Sequence, residues 1–212
     1  HYPLRRQRQM CIRDSFYSSY FGENESVPST NKKIVIIGSG PIRIGQGIEF
    51  DYCSVHGANT VRELGYEAII INNNPETVST DYMTADRLYF EPLALEDVLA
   101  VIETEAVAGV IVTLGGQTGI KLTKELEEAG VHVFGVSAAT VDQLEERDSF
   151  YDLLSSIDVE PIPGKTVASM EEAIASCEQM TFPILVRPSF VIGGQGMAIL
   201  HSKEQLEEYL VN

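Results

Sequence analysis

Apolar and polar positions fall in blocks along this chain. Ile34-Val-Ile-Ile37, Ala68-Ile-Ile-Ile71 and Gly109-Val-Ile-Val-Thr113 are runs with little or no polar interruption. Strands of a parallel sheet read this way, because both of their faces are covered. Between the first two runs, Ile48, Tyr52, Val55, Ala58, Val61 and Leu64 recur at steps of three and four, which predicts one apolar stripe on a helix. Residues 88–90 and 131–134 read as shorter strands, 95–105 and 118–129 as helices, and Ser137 as the N-cap of a further helix. Strand and helix in alternation predict an α/β class with a Rossmann-like parallel sheet.

Near Phe150 the pattern changes. Residues 150–157 read as a helix, and Pro161-Ile-Pro163 breaks the chain. Residues 169–180 read as a helix opening on the capping pattern Ser169-Met-Glu-Glu172. Residues 182–187 and 198–200 read as strands joined by a hairpin over 191–197, and 203–211 as a last helix. This second, α+β unit is too short to close a core of its own. The expectation is one complete domain and the opening of another.

Composition narrows the function classes. The 212 residues carry a net charge of −16, which argues against nucleic acid or an anionic membrane as partner. Three cysteines without CxxC spacing argue against a disulfide scaffold or structural zinc and suggest a reducing, cytoplasmic setting. No apolar run reaches the ~18 residues of a membrane span. Residues 1–15 are arginine-rich and aperiodic. A basic targeting peptide is one reading; a non-native, disordered leader is the reading adopted. Residues 16–30 read as a polar linker carrying Tyr17, Tyr20 and Phe21.

The candidate chemistry sits after the strands. Gly38, Gly40, Gly45 and Gly47 follow the first one, and a helix follows them, an arrangement that favours an anionic ligand. The spacing is not GxGxxG. Gly40-Pro-Ile-Arg-Ile-Gly45 has P-loop spacing, but Gln46 stands where Lys is needed. A plain structural turn reads the same, although Arg43 within the loop adds a guanidinium suited to phosphate or carboxylate. Residues 72–81 and 115–118 form two more polar or glycine-rich loops at strand ends, where ligands of such sheets gather.

Five further constellations carry both a functional and a plain reading. Glu49, Cys53 and His56 share a helix face and could hold a metal, or the face could belong to the core. Glu49 and Glu76 could face one cavity, or be solvated caps. Arg187, in an apolar strand, needs an anion, either a nucleotide phosphate or a protein carboxylate. Arg147, within Glu145-Glu-Arg-Asp148, reads first as a surface ion pair. The glycines 193–196 could close over phosphates or simply turn a hairpin.

Several long segments together resemble one family, the large chain of carbamoyl-phosphate synthase. They are Gly40-Pro-Ile-Arg-Ile-Gly-Gln-Gly-Ile-Glu-Phe-Asp-Tyr-Cys53, Asn74-Pro-Glu-Thr-Val-Ser-Thr-Asp-Tyr82, Asp86-Arg-Leu-Tyr-Phe-Glu-Pro92, Gly115-Gly-Gln-Thr118 and Arg187-Pro-Ser-Phe-Val-Ile-Gly-Gly194. The likeness runs from about residue 16 to residue 212. It implies a pre-ATP-grasp domain over 31–147 and the start of an ATP-grasp domain from 148, truncated at 212. It is similar to the second synthetase half, which phosphorylates carbamate.

The resemblance implies ATP binding by Arg147, Arg187, Gly193 and Gly194, and a carbamate passage lined by Arg43, Glu49 and Glu76. The adenine contacts, the metal-binding residues and the catalytic arginine would lie beyond residue 212, so no catalytic or metal-binding residue is expected here. ATP and Mg2+ (or Mn2+) would serve the full-length ligase. Its partners would be a glutamine amidotransferase small chain and the remainder of an oligomeric large chain, in arginine or pyrimidine biosynthesis. The 212 residues alone would be inactive. Two rivals remain: a nicotinamide-dependent oxidoreductase domain, and a non-catalytic ligand-sensing module on the same fold.

Overall fold

The computed structural model describes residues 15–17, 26–41, 48–81, 83–188 and 194–211. The expected leader therefore lies outside the described residues except for Ser15. The chain forms two compact units, residues 1–141 and 142–212.

In the first unit the strands are β1 (Ser15–Phe16), β2 (Lys33–Ile37), β3 (Glu67–Ile71), β4 (Arg87–Tyr89) and β5 (Gly109–Ile111). They form a parallel sheet in the order β1-β4-β3-β2-β5. The register of the central pair aligns Ile34 with Ala68 and Ile37 with Ile71. Val35, Ile36, Ile37 and Ile69 to Ile71 are wholly buried. Each such side chain contributes about 1.5–3 kcal/mol, so the all-apolar runs are the heart of the unit. Two clusters cover the two faces of the sheet. One brings α2 (Leu95–Glu105) and α4 (Thr123–Glu128) onto Val35, Ile37 and Ile71. The other brings α1 (Glu49–Glu63) onto Ile34, Ile36 and Ile70.

Several elements differ from expectation. The stretch read as a linker starts with Phe16 in a strand, its ring stacked on Tyr89 with centroids 5.1 Å apart. The fifth expected strand, 131–134, is reduced to a bridge between Val110 and Val133. The Val131 amide is drawn back to the Leu126 carbonyl, and Gly135 turns the chain away at φ +99°, so only two ladder bonds form. The helix expected over 118–129 is two pieces, α3 (Gln117–Ile120) and α4.

The stripe expected on α1 is buried in part, at Ala58 and Val61, and the buried face turns toward Ser54. Ser54, Ala58 and Val61 face the core, while Ile48, Tyr52 and Leu64 are 78%, 62% and 69% exposed.

At the amino-terminal edge of the sheet lies a buried ion cluster. Lys33, Glu67 and Arg87 open β2, β3 and β4, and Glu105 closes α2. Lys33 Nζ lies 3.1 Å from Glu105 Oε2, and Arg87 bonds Glu105 (3.0 Å) and Glu67 (2.9 Å). The same cluster holds the segment entering β2: Ser26 bonds Tyr89 and Glu105, Arg87 donates to the Val27 carbonyl (2.6 Å), and Ser29 bonds Glu67.

The helix α5 (Ala138–Glu145), whose Thr140 amide bonds the Ser137 hydroxyl, runs across the division between the units, and α6 (Arg147–Ser156) lies in the second. Then come α7 (Met170–Cys177), β6 (Ile184–Val186), β7 (Ala198–Leu200) and α8 (Lys203–Val211). Strands β6 and β7 pair antiparallel. The capping pattern forms as read: Ser169 accepts from the Glu172 amide at 3.1 Å, and Glu172 reaches back to the Ala168 amide at 3.0 Å. Cys177, Leu200 and Leu206 form a small core.

Candidate functional site

All strands of the sheet point one way, so their carboxyl ends share one edge. Three loops meet there. Gly38 and Gly115 approach so closely that a Cβ on Gly115 would stand 2.3 Å from the Gly38 carbonyl oxygen. No other residue fits this contact. Asn72, wholly buried at the end of β3, accepts from the Gly40 amide at 3.0 Å and donates to Ser79 at 3.3 Å. One side chain thus joins the glycine turn to the loop after β3.

That loop is closed by its own polar groups. Asn74 accepts from the Glu76 amide (3.0 Å), and its carbonyl accepts from the Thr80 hydroxyl (3.1 Å). Val78–Thr80 is a 3-10 turn. Its leading amides, Val78 and Ser79, bond the carboxylate of Asp51 from α1, at 2.8 Å and 3.1 Å. Glu49 opens α1 and Glu76 lies in this loop, both exposed. The two glutamates are therefore tied through Asp51. Arg43 lies outside the described residues.

Other predicted positions move. Cys53 and His56 are exposed, so their side of α1 is not core. His56 stacks with Tyr52 at 4.2 Å. Among the described residues no group of three His, Cys, Asp or Glu side chains is placed to hold a metal ion. An apolar groove of about 570 Å³ runs beside α1, lined by Tyr52, His56, Leu64, Leu114 and Phe134 among others; neither Glu49 nor Glu76 lines it.

Arg187 stands one residue past β6 and is exposed. The strand pairs only over three residues, so the expected cost of a buried cation does not arise. Arg147 opens α6, also exposed. Its neighbours are engaged elsewhere: Glu146 accepts from Ser149 (2.6 Å) and Asp148 from Thr166 (3.1 Å). Among the described residues neither arginine forms an ion pair, so both guanidiniums are available to an anion. Gly194 opens the turn into β7 at φ +74°; Gly193 lies outside the described residues.

Sequence reasoning assigned no role to Asn72 or Asp51. The available signals were an amide ending an apolar strand and an acid in a helix's first turn.

Solved structures define the class. The biotin carboxylase domain of 2-oxoglutarate carboxylase from Hydrogenobacter thermophilus matches with a TM-score of 0.63 at 17% identity, over 85% of this chain and 40% of that one. The N5-carboxyaminoimidazole ribonucleotide synthetase of Thermus thermophilus matches at 0.58 and 16%, over 82% and 42%. At such identities the likeness is one of fold alone.

The family models are more specific. The carbamoyl phosphate synthase pre-ATP-grasp domain matches residues 30–143, and the ATP-binding domain of the carbamoyl-phosphate synthase L chain matches residues 146–212. The arginine-specific large chain of Halalkalibacterium halodurans is 60% identical over 196 residues, 92% of this chain and 19% of that protein. Its counterpart in Geobacillus stearothermophilus is 57% identical over 194 residues, 91% and 19%. The chain belongs to the carbamoyl phosphate synthase large-chain family. It spans about a fifth of the length of the relatives it matches.

Proposed function

We propose that these residues are part of an ATP-dependent ligase that makes carbamoyl phosphate from bicarbonate, glutamine-derived ammonia and ATP. Within it they belong to the half that phosphorylates carbamate. The observation that carries this reading is 60% identity to an arginine-specific large chain across both units. The names of both relatives favour the arginine-specific form.

In this reading Arg147, Arg187, Gly193 and Gly194 take the nucleotide's phosphates. The support from geometry is that both guanidiniums are exposed and unpaired among the described residues. A forked guanidinium matches phosphate oxygens. Arg43, Glu49 and Glu76 line the carbamate passage, where a labile intermediate is sheltered from water. Mg2+ supplies charge at the phosphates in the full-length enzyme. The partners are the rest of the large chain and a glutamine amidotransferase small chain, in the cytoplasm. Among the described residues no helix is long and apolar enough to cross a membrane.

The oxidoreductase rival expects an acidic residue at the end of the second strand for the ribose. Asn72 stands there, with its amide spent on Gly40 and Ser79. The test is production of carbamoyl phosphate from glutamine, bicarbonate and MgATP. The full-length large chain carrying this sequence, with its small chain, is expected to form it. The 212 residues alone are expected to form none. Product from the short chain, or none from the long one, would refute the reading.

A further inference from the structure

The 3-10 turn Val78–Thr80 has a peculiarity. The residue preceding it, Thr77, gives it no side-chain cap. Its first two amides are satisfied instead by Asp51, 27 residues earlier and on another element. Oδ2 accepts from Val78 at 2.8 Å, and both oxygens take part at Ser79, at 3.1 and 3.2 Å. A carboxylate on paired amides is a charge-assisted contact, stronger than a neutral cap. Unmet helix-end amides are otherwise left to water.

The placement matters as much as the strength. Asp51 follows Glu49 by two residues on the first turn of α1, and Val78 follows Glu76 by two residues in the loop. Asn74 and Thr80 close that loop, and Asn72 fastens it to the glycine turn. A movement of the loop against α1 would separate Glu49 from Glu76, and Asp51 joins those two elements by hydrogen bonds to both leading amides of the turn.

We propose that Asp51 is a positioning residue for the carbamate passage: it locks the 74–80 loop onto α1 and so fixes Glu76 relative to Glu49. This rests on the passage reading of the two glutamates. Asp51 touches no reacting atom; it acts through the loop. Without it the passage loosens, water enters, and carbamate is lost before it is phosphorylated.

Two measurements separate the parts of this claim. Hydrogen exchange in the 212-residue chain reads the lock itself. In Asp51→Ala the Val78 and Ser79 amides are expected to exchange at least about fivefold faster, the fold-change that loss of a cap of ordinary strength already gives. In the full-length enzyme, ADP formed per carbamoyl phosphate is expected to rise, with the KM for MgATP unchanged. A merely structural cap would lower yield or stability and leave that ratio alone. Asp51→Asn, which keeps one acceptor oxygen and the side-chain volume, should give an intermediate ratio and serves if the alanine variant does not fold.

Unchanged exchange at Val78 and Ser79 would overturn the lock. Faster exchange with a wild-type ratio would overturn the positioning role. A wild-type full-length enzyme that forms no carbamoyl phosphate would remove the passage reading, and the positioning role with it, while the exchange result stood on its own.

Discussion

Glu105 is wholly buried, with Lys33, 2% exposed, beside it, so its neighbours decide what charge the carboxyl carries. Burial works to raise the Glu105 pKa. Hydrogen bonds from Tyr89 and Lys33 and the positive charges of Arg87 and Lys33 outweigh it, and the carboxyl lies below its ordinary range. A depressed carboxyl stabilises the fold at pH above its unfolded value of ~4.3, and that stabilisation is lost as pH falls through the folded value. Tyr89 has the opposite sign. Burial, then the bond to Glu105, pushes its phenol up to about 12. Its contribution is full below the ordinary value near ~10 and is lost as pH rises through the folded one. The melting temperature should therefore fall at both limbs of its pH profile. Glu105→Gln should flatten the acid limb, and an acid limb identical to wild type would contradict the assignment. Glu105→Ala should cost about 3–5 kcal/mol in urea unfolding, because Lys33 is left buried without its carboxylate. None of this was legible beforehand. A lysine opening a strand and a glutamate closing a helix both read as solvated ends; only the strand register brings them together. Asn72 and Asp51 were hidden for the same reason, since each acts on a loop far away in sequence.

At the scale of elements, the apolar runs gave β2, β3 and β5 to within a residue or two, because strands covered on both faces have no polar side to blur them. The helix α1 was read at the right place, with Ala58 and Val61 buried as expected and Ile48, Tyr52 and Leu64 out of phase. Apolar periodicity weighs Ile48, Tyr52 and Leu64 above Ser54, yet the face of the helix that packs inward carries Ser54, Ala58 and Val61. A Cβ on Gly57 would come within 2.3 Å of Leu114 Cδ1. Ala58→Leu should accordingly destabilise the chain by about 1–3 kcal/mol through overpacking. Leu64→Ala, at an exposed position, should stay within about 0.5 kcal/mol. Chemical unfolding of the two variants side by side checks the phase; equal effects would restore the stripe first read. The fifth expected strand is cut short by its flanks rather than by propensity: Val131 still closes the end of α4, and Gly135 turns the chain away two residues past Val133.

Over the whole molecule, the two units carry different parts of the proposed chemistry. Residues 1–141 hold the closed loop edge with Glu49 and Glu76, and residues 142–212 hold Arg147, Arg187 and Gly194. The α/β class was legible from block patterning alone. The family was legible only from long matched segments, since the glycine spacing fits neither common nucleotide fingerprint. The burial argument for Arg187 failed because its strand ends one residue early, yet the same exposure leaves the side chain free for phosphate.

The central claim is that this chain serves carbamate phosphorylation, and running that step backwards tests it most directly. In the full-length enzyme, ATP formed from carbamoyl phosphate and MgADP reports the carbamate-phosphorylating half. Arg187→Ala should reduce that back reaction by about tenfold or more, the effect of losing a charge-assisted phosphate contact, and should spare ATP hydrolysis that depends on bicarbonate alone. A back reaction left at the wild-type rate, with the bicarbonate-dependent hydrolysis lost instead, would contradict it.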